Sequence, residues 1–326
     1  MLRTLLLLLA VVLLFLANVA WGTVSLSLRE VWEVLMGEGD GVARFVVMES
    51  RLPAALTATL AGASLSIGGL LMQTLFRNPL ADPSILGISS GAGLGAAIVL
   101  LAFSGIGLLA TASAAMVGAI VAISLLVATS AWVRSSTSLL VVGVMLSSII
   151  GSLTSLLNFF ATDEGVKSFV IWGLGNFNGC QGERLGVYAA CCVLSLLLLP
   201  LTFRSLDALL LGDDYALSVG INVRRHRTLL LLLVGWLTAV TTAVCGPVAF
   251  IGLAVPHAAR RLTRSALHRR LALAPLLLGS GTALACLFIS RLPVILGLSH
   301  SILPLGCITP LIGAPVVIAI LMLHRP

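Results

Sequence analysis

Charge is scarce in this sequence: only 10% of its 326 residues are Asp, Glu, Lys or Arg, against roughly 25% in a soluble domain. With 59% hydrophobic residues and a mean hydropathy of +1.14, so much apolar surface escapes water only inside a bilayer. Lysine is almost missing. The single one, Lys167, belongs to no GxxxxGK[ST] phosphate loop, so the chain is not expected to hydrolyse nucleotide itself. Six cysteines (Cys180, Cys191, Cys192, Cys245, Cys286, Cys307) form no CxxC or Cys/His pattern, which excludes a zinc site of the usual spacing and leaves them as small apolar fillers. His257 and His268 have no third ligand at metal spacing, and Ser and Thr within apolar helices bond a preceding carbonyl more often than they act as nucleophiles. The expectation is a non-catalytic chain with no cofactor or metal of its own. The net charge of +7 reads as a topology signal, because no aromatic-plus-basic module for nucleic acid is present.

What is there is a series of apolar runs of about 20 residues, the length that spans a bilayer. They are Leu5–Trp21, Leu52–Leu75, Ile85–Phe103, Leu108–Val133, Leu139–Phe160, Leu185–Phe203, Thr228–Val244, a short Ile251–Leu262, Leu271–Ser290 and Leu305–Leu323. The fold class predicted is all-α, a polytopic membrane protein of about ten helices in one transmembrane domain over 1–326, with the stretch Gly246–His257 deciding the count. Arg3, a leucine-rich run and Ala17-Asn18-Val19-Ala20 have the form of a cleavable signal peptide; the length of the run and the interfacial Trp21 favour a retained helix. Ten helices with the N-terminus inside put thirteen basic residues on the cytoplasmic side: Arg3, Arg77, Arg134, Arg204, Arg224, Arg225, Arg227, Arg260, Arg261, Arg264, Arg269, Arg270 and Arg325. Arg29, Arg44, Arg51, Lys167, Arg184 and Arg291 fall outside, with most of the acids. The excess inside supports this orientation, with both termini cytoplasmic.

Between the second and third runs stands Asn78-Pro79-Leu80-Ala81-Asp82-Pro83. Each proline lacks a donor and disfavours helix in the residue before it, so one helix stops here and another starts near Ser84. Gly87, Gly91 and Gly95 would share a face of the new helix and admit a neighbouring backbone. Such a break at membrane depth survives where it is buried in protein or lines a watery cavity, which points to a pathway. Gly246-Pro247 breaks the chain in the same way after the seventh run. Helices two to five (about 51–160) and seven to ten (about 228–323) therefore read as an inverted repeat.

Every Asp and Glu is placed in a loop or at a helix end, whereas ion-coupled carriers keep an ionisable group within the membrane. Energy is then expected from a partner subunit, with an ion-coupled secondary transporter the alternative of a different class. The partner's contact is the largest inside loop, 204–227, containing Gly212, Asp213, Asp214, Tyr215, Ala216, Leu217, Ser218, Val219, Gly220 and Ile221. Asp213 and Asp214 suit a helix N-terminus, Gly220 a C-terminal cap, and Leu217 and Ile221 would share an apolar face.

Gln73 with Asn78-Pro-Leu-Ala-Asp-Pro83 and Leu86-Gly-Ile-Ser-Ser-Gly-Ala92 resembles the signature of the iron-siderophore, haem and cobalamin permeases of ATP-binding-cassette importers (type II, FecCD-like). Arg51-Leu-Pro53, Trp172 with Gly173 and Gly175, Phe250-Ile-Gly-Leu-Ala-Val-Pro-His257 with Arg260, and Leu303-Pro-Leu-Gly306 with Gly313-Ala-Pro315 match in the same order. The resemblance implies ten helices per subunit, a homodimer around a central path, two cytoplasmic ATPase subunits that use ATP and Mg, and a periplasmic or lipid-anchored substrate-binding protein, all at the bacterial cytoplasmic membrane. It makes Gly212–Ile221 the segment that couples to the ATPase. It implies a cytoplasmic gate at Asn78 and Leu80 with Ser136 and Thr137 from the loop before the fifth helix. It also implies that Arg51 and Arg291 receive carboxylates of the binding protein. Ala54, Leu287 and Ile302 depart from the cobalamin pattern, where an Arg, an Asp and a Glu are common. The cargo implied is a metal chelate, a ferric siderophore ahead of haem, cobalamin or an oxyanion such as molybdate.

Overall fold

Each of the ten apolar runs is helical in the computed structural model, which describes residues 2–39, 41–103, 107–133 and 135–322; Arg134, Arg325 and residue 323, placed from the sequence, lie outside them. The chain starts with α1 (Leu2–Ala20), α2 (Leu28–Leu35) and α3 (Gly41–Arg44), and a π-helical turn, Phe45–Arg51, runs directly into α4 (Leu52–Leu75). After the first break come α5 (Ile88–Ala102), α6 (Leu108–Ser130) and α7 (Ser136–Phe160). Next, α8 (Asp163–Gly173) leads to α9 (Glu183–Leu198), a 3₁₀ turn Leu199–Thr202, α10 (Phe203–Leu210), α11 (Asp213–Ser218) and α12 (Val223–Cys245). After the second break, α13 (Ile251–Thr263), α14 (His268–Leu271), α15 (Leu273–Ile295) and α16 (Leu305–Met322) complete the bundle. Among the described residues there is no strand, and seven helical runs are long and apolar enough to cross a membrane. The other three apolar runs form shorter helices, α5, α13 and α16.

Two details differ from the sequence expectation. The helix after the first break begins at Ile88, because Pro83–Leu86 form a 3₁₀ turn that ends at Gly87 with φ of 82°. Gly87 is therefore a left-handed hinge outside the helix, and only Gly91 and Gly95 occupy its packed face. A Cβ on Gly91 would press on the Gly118 carbonyl of α6, so these two helices meet backbone to backbone. The connecting loops also carry helices of their own. One is α2, whose Ser27–Glu30 capping box closes at 2.7 and 3.2 Å.

The bundle is organised around α4. The span containing it is 83% buried, against 11% for α1 and 17% for α7. It packs on α12, α13 and α15, and a Cβ on Gly69 would collide with the carbonyl of Gly252 in α13. Inter-helix bonds define one end of the bundle. Arg3 donates to the Leu262 carbonyl (2.7 Å), Thr74 lies against His268 and Ser136 against Arg227. The start of α1, the end of α4, the start of α7, α10–α11, the start of α12 and the end of α13 all meet there. With them come the arginines expected to be cytoplasmic. The start of α4 and the ends of α1 and α15 mark the opposite end.

Candidate gate and coupling site

The chain leaves α4 through Arg77, whose φ of 47° is left-handed. The Asn78 side chain then accepts the Leu80 amide at 2.9 Å while its carbonyl accepts the Ala81 amide at 3.1 Å. Asparagine fits because its amide oxygen copies a backbone acceptor and so builds the turn locally. The Pro79 carbonyl, which no neighbouring amide needs, accepts from His257 Nε2 of α13 at 2.8 Å. Asp82 caps the 3₁₀ turn by accepting the Ser84 amide (2.8 Å) and hydroxyl. Leu80 stays 46% exposed, so the turn presents an apolar tip on a polar, well-bonded base.

The inside loop forms a helix with the caps that the sequence indicates. Gly212, with φ of 117°, precedes α11, and Asp213 and Asp214 occupy its first turn. Gly220 donates to the Leu217 carbonyl (3.0 Å) and Ile221 to that of Ala216 (2.9 Å), the paired bonds of a Schellman C-cap. Tyr215, Leu217 and Val219 are exposed while Ala216 is fully buried, so α11 rests on Ala216 and projects an apolar ridge. Leu217 and Ile221 do not share the face expected of them, because the helix ends at Ser218 and Ile221 turns into the core. Ser218, at its last residue, bonds the Tyr215 carbonyl.

Asp213 ties this helix to the first break. One carboxylate oxygen accepts from Arg77 at the end of α4 (3.0 Å), the other from Arg227 in α12 (3.2 Å). Arg227 also donates to the Ser136 hydroxyl at 3.1 Å. Ser136 and Thr137 thus belong to the first turn of α7 rather than to a loop; Ser136 is buried in this network and Thr137 is exposed. Among the described residues no hydrogen bond joins Asn78 or Leu80 directly to Ser136 or Thr137. Their link is the chain Arg77–Asp213–Arg227–Ser136.

A second layer beneath it was not legible in the sequence. His268 of α14 directs its backbone amide and Nδ1 to Asp207 (2.9 and 2.6 Å), and its Nε2 lies 2.9 Å from the Thr74 hydroxyl. Gln73 accepts from Arg260 (2.5 Å) and donates to the Leu253 carbonyl (3.1 Å). Asp207 lies inside α10, which corrects the expectation that every acid sits in a loop or at a helix end. Its placement among Leu206, Ala208 and Leu209 hides it from hydropathy, but the i, i+3 apolar spacing of Leu206 and Leu209 was a signal for a short amphipathic helix.

At the opposite end, Arg51 and Arg291 do not stand open to an approaching carboxylate. Arg51 is 2% exposed and donates to the carbonyls of Val19 (3.0 Å), Ala20 (2.6 Å) and Val24. Arg291 is 4% exposed and donates to the Asn18 carbonyl (3.3 Å) and the Asn178 side chain (3.1 Å). The physical reason is the end of α1, whose last carbonyls have no partners within the helix and attract cations through the helix dipole. Asn18 completes the joint by donating to the Leu284 carbonyl of α15 at 3.0 Å.

A long helix that ends at an Asn-Pro turn and a projecting short helix are joined by an ionic chain. The model of the FecCD transport family matches residues 8–323. The chain belongs to the FecCD transport family. Relatives within reach of it include the hemin transport system permease HmuU of Yersinia pestis, 35% identical over 98% of this chain and 95% of that protein. The ferric enterobactin transport system permease FepG of Escherichia coli is 36% identical over 75% of this chain and 74% of its own length. The vitamin B12 import system permease BtuC of Serratia proteamaculans is 34% identical over 91% and 88%. A solved inward-facing conformation of a metal-chelate type ABC transporter superposes with a TM-score of 0.86 at 30% identity, covering 98% of both chains. PsaBC of Streptococcus pneumoniae, at 19% identity and a TM-score of 0.57 over 89% and 95%, shares the fold alone.

Proposed function

We propose that this FecCD family chain is the non-catalytic membrane permease of an ABC importer for a metal chelate, with a ferric siderophore as its cargo. The observation that carries the reading is the Asp213 junction: an exposed apolar helix is bonded at its first residue to the end of α4 and, through Arg227, to the first turn of α7. A partner that grips the α11 ridge can thereby move the turn at Asn78–Leu80 against Ser136 and Thr137. In this reading the partner is one of two cytoplasmic ATPase subunits, which supply the ATP and Mg chemistry. The arginine-rich end faces the cytoplasm of a bacterial inner membrane, and both termini lie there.

The path runs between two copies of the chain. Its wall is the lightly buried face of α7, where Thr137, Ser148, Ser152 and Ser155 are exposed; the hydroxyls of Ser148 and Ser152 bond back into their own helix, and such small groups hold a large ligand weakly. The α4–α7 and α12–α16 halves, each a long helix, a break and a short helix, are the inverted repeat. Since Arg51 and Arg291 are committed to α1, the binding protein docks on the surface around them rather than on their charges. The cargo rests on the relatives, whose hemin, ferric enterobactin and vitamin B12 are all organic chelates of a metal. Haem is a second reading, favoured by the relative that matches over 98% of this chain.

The test is ATP hydrolysis by the permease purified with a cassette ATPase in lipid, challenged with binding proteins loaded with ferric siderophore, haem or cobalamin. Stimulation by the siderophore-loaded protein is the expected result. Stimulation by another would reassign the cargo, and failure to associate with any ATPase would return the chain to the ion-coupled carriers.

A further inference from the structure

A cleft lies on the flank of the bundle. It opens between α9 and α12, with a volume of about 440 Å³. Leu194 and Leu198 form one wall, and Leu229, Leu233 and Trp236 the other. The two hydroxyls that border it are turned away. Ser195 donates to the Cys191 carbonyl and Thr202 to that of Leu199, both at 2.7 Å, so the cleft offers an apolar lining. At the arginine-rich end it runs into a wider mouth of about 550 Å³, with Leu229 and Leu232 shared between the two. Arg224 and Arg225 line that mouth, exposed and without a carboxylate partner among the described residues. His226 sits at the junction, its Nδ1 bonded to the Asn222 carbonyl at 3.0 Å.

We propose that this cleft binds one anionic phospholipid, its acyl chain along α12 and its phosphate at Arg224 and Arg225. Charge and length both select this occupant. The apolar part excludes a soluble anion, and two unpaired guanidiniums at its mouth give a phosphate bidentate donors. From Arg225 to Trp236 the helix rises about 16 Å at 1.5 Å per residue, close to half of a hydrocarbon core of roughly 30 Å. The site therefore takes one leaflet's worth of chain with its headgroup at the interface, where basic pockets between helices meet anionic lipids. Placing it in the cytoplasmic leaflet rests on the orientation proposed above; the cleft and its cations do not.

The experiment uses the full-length permease, with Trp21, Trp32, Trp132 and Trp172 replaced by Phe so that Trp236 reports alone. It is reconstituted in phosphatidylcholine containing small amounts of tail-brominated phosphatidylglycerol or tail-brominated phosphatidylcholine. The brominated phosphatidylglycerol should quench Trp236 at a concentration lower by about thirtyfold, the factor expected for two interfacial arginines. The preference should fall to parity in the Arg224→Gln, Arg225→Gln double variant. Equal quenching by both lipids would overturn the proposal, and so would a preference that survives the double variant or a Trp236 that neither lipid reaches. Should the four-Phe protein fail to fold, native mass spectrometry of the unmodified chain tests the same site. A phosphatidylglycerol adduct must be retained by the parent and lost from the double variant. These lipid measurements need no ATPase, so failure of the importer reading and failure of the lipid site give different results.

Discussion

The two ends of the bundle use arginine in opposite ways. At one end Arg51 and Arg291 are buried and bonded to backbone carbonyls and an amide side chain, with no carboxylate among the described residues. At the other, Arg77 and Arg227 share the single carboxylate of Asp213, whose side chain is a third exposed. Three of the four carbonyls, those of Asn18, Val19 and Ala20, belong to α1, which cannot rearrange without unfolding, so the first arrangement is a fixed joint. A carboxylate on the first residue of a six-residue helix can travel with that helix, so the second is a joint free to move. On the function proposed above, the contrast puts stability at one end and transmission at the other.

Replacing Arg51 by Ala should have the largest effect, because it strips donors from three carbonyls at once. A stability loss of about 3 kcal/mol is expected, read by thermal unfolding of the purified permease, with uptake per folded molecule unchanged. Lysine at this position should recover only part of it, since one ammonium cannot reproduce the fork. An uptake defect at normal stability would show the joint to be functional and would break the contrast.

Asp213→Asn should come next, and in a different observable. Arg227, with a side chain only 7% exposed, loses its counter-charge at a cost of about 2 kcal/mol, below the usual figure for a buried pair because Asp213 itself is partly solvated. Uptake per ATP should drop by roughly tenfold while hydrolysis continues. Normal coupling would reduce Asp213 to a cap. Arg291→Gln follows, with a loss of roughly 1 to 2 kcal/mol in the unfolding measurement, since its bonds of 3.1 and 3.3 Å are fewer and longer than those of Arg51. Ser136→Ala should be smallest, a loss of about 1 kcal/mol or less in the unfolding measurement together with a slight uncoupling. If it matched Asp213→Asn, the hydroxyl and not the ion pair would be the point of transmission.

Much of this arrangement is local chemistry and so could be read from residues in a row. Proline and asparagine dictate the turn at 78–83, and the aspartates and Gly220 dictate the ends of α11. The ten apolar runs give the bundle. Pairings across the sequence leave no such trace: nothing near Arg77 announces a partner 136 residues later, and nothing near Thr74 announces His268. The burial of Arg51 was the more legible miss. The run ends Asn18-Val19-Ala20-Trp21-Gly22 with no basic residue in its last turn, so its open carbonyls required donors from elsewhere, and an arginine at the head of the next long helix was at hand.

The joint at the end of α1 also has a consequence for how the protein is made. Asn18 is fully buried and bonds Leu284, 266 residues further along the chain, and Arg291 follows later still. At a synthesis rate of roughly 5–20 residues per second, α1 waits on the order of tens of seconds for the groups that satisfy it. During that interval a polar side chain and several bare carbonyls must be sheltered by the insertion machinery or by lipid headgroups. A helix made long before α15 is thus locked in place only with it, and the window in which a membrane quality-control protease can inspect α1 closes only when α15 arrives.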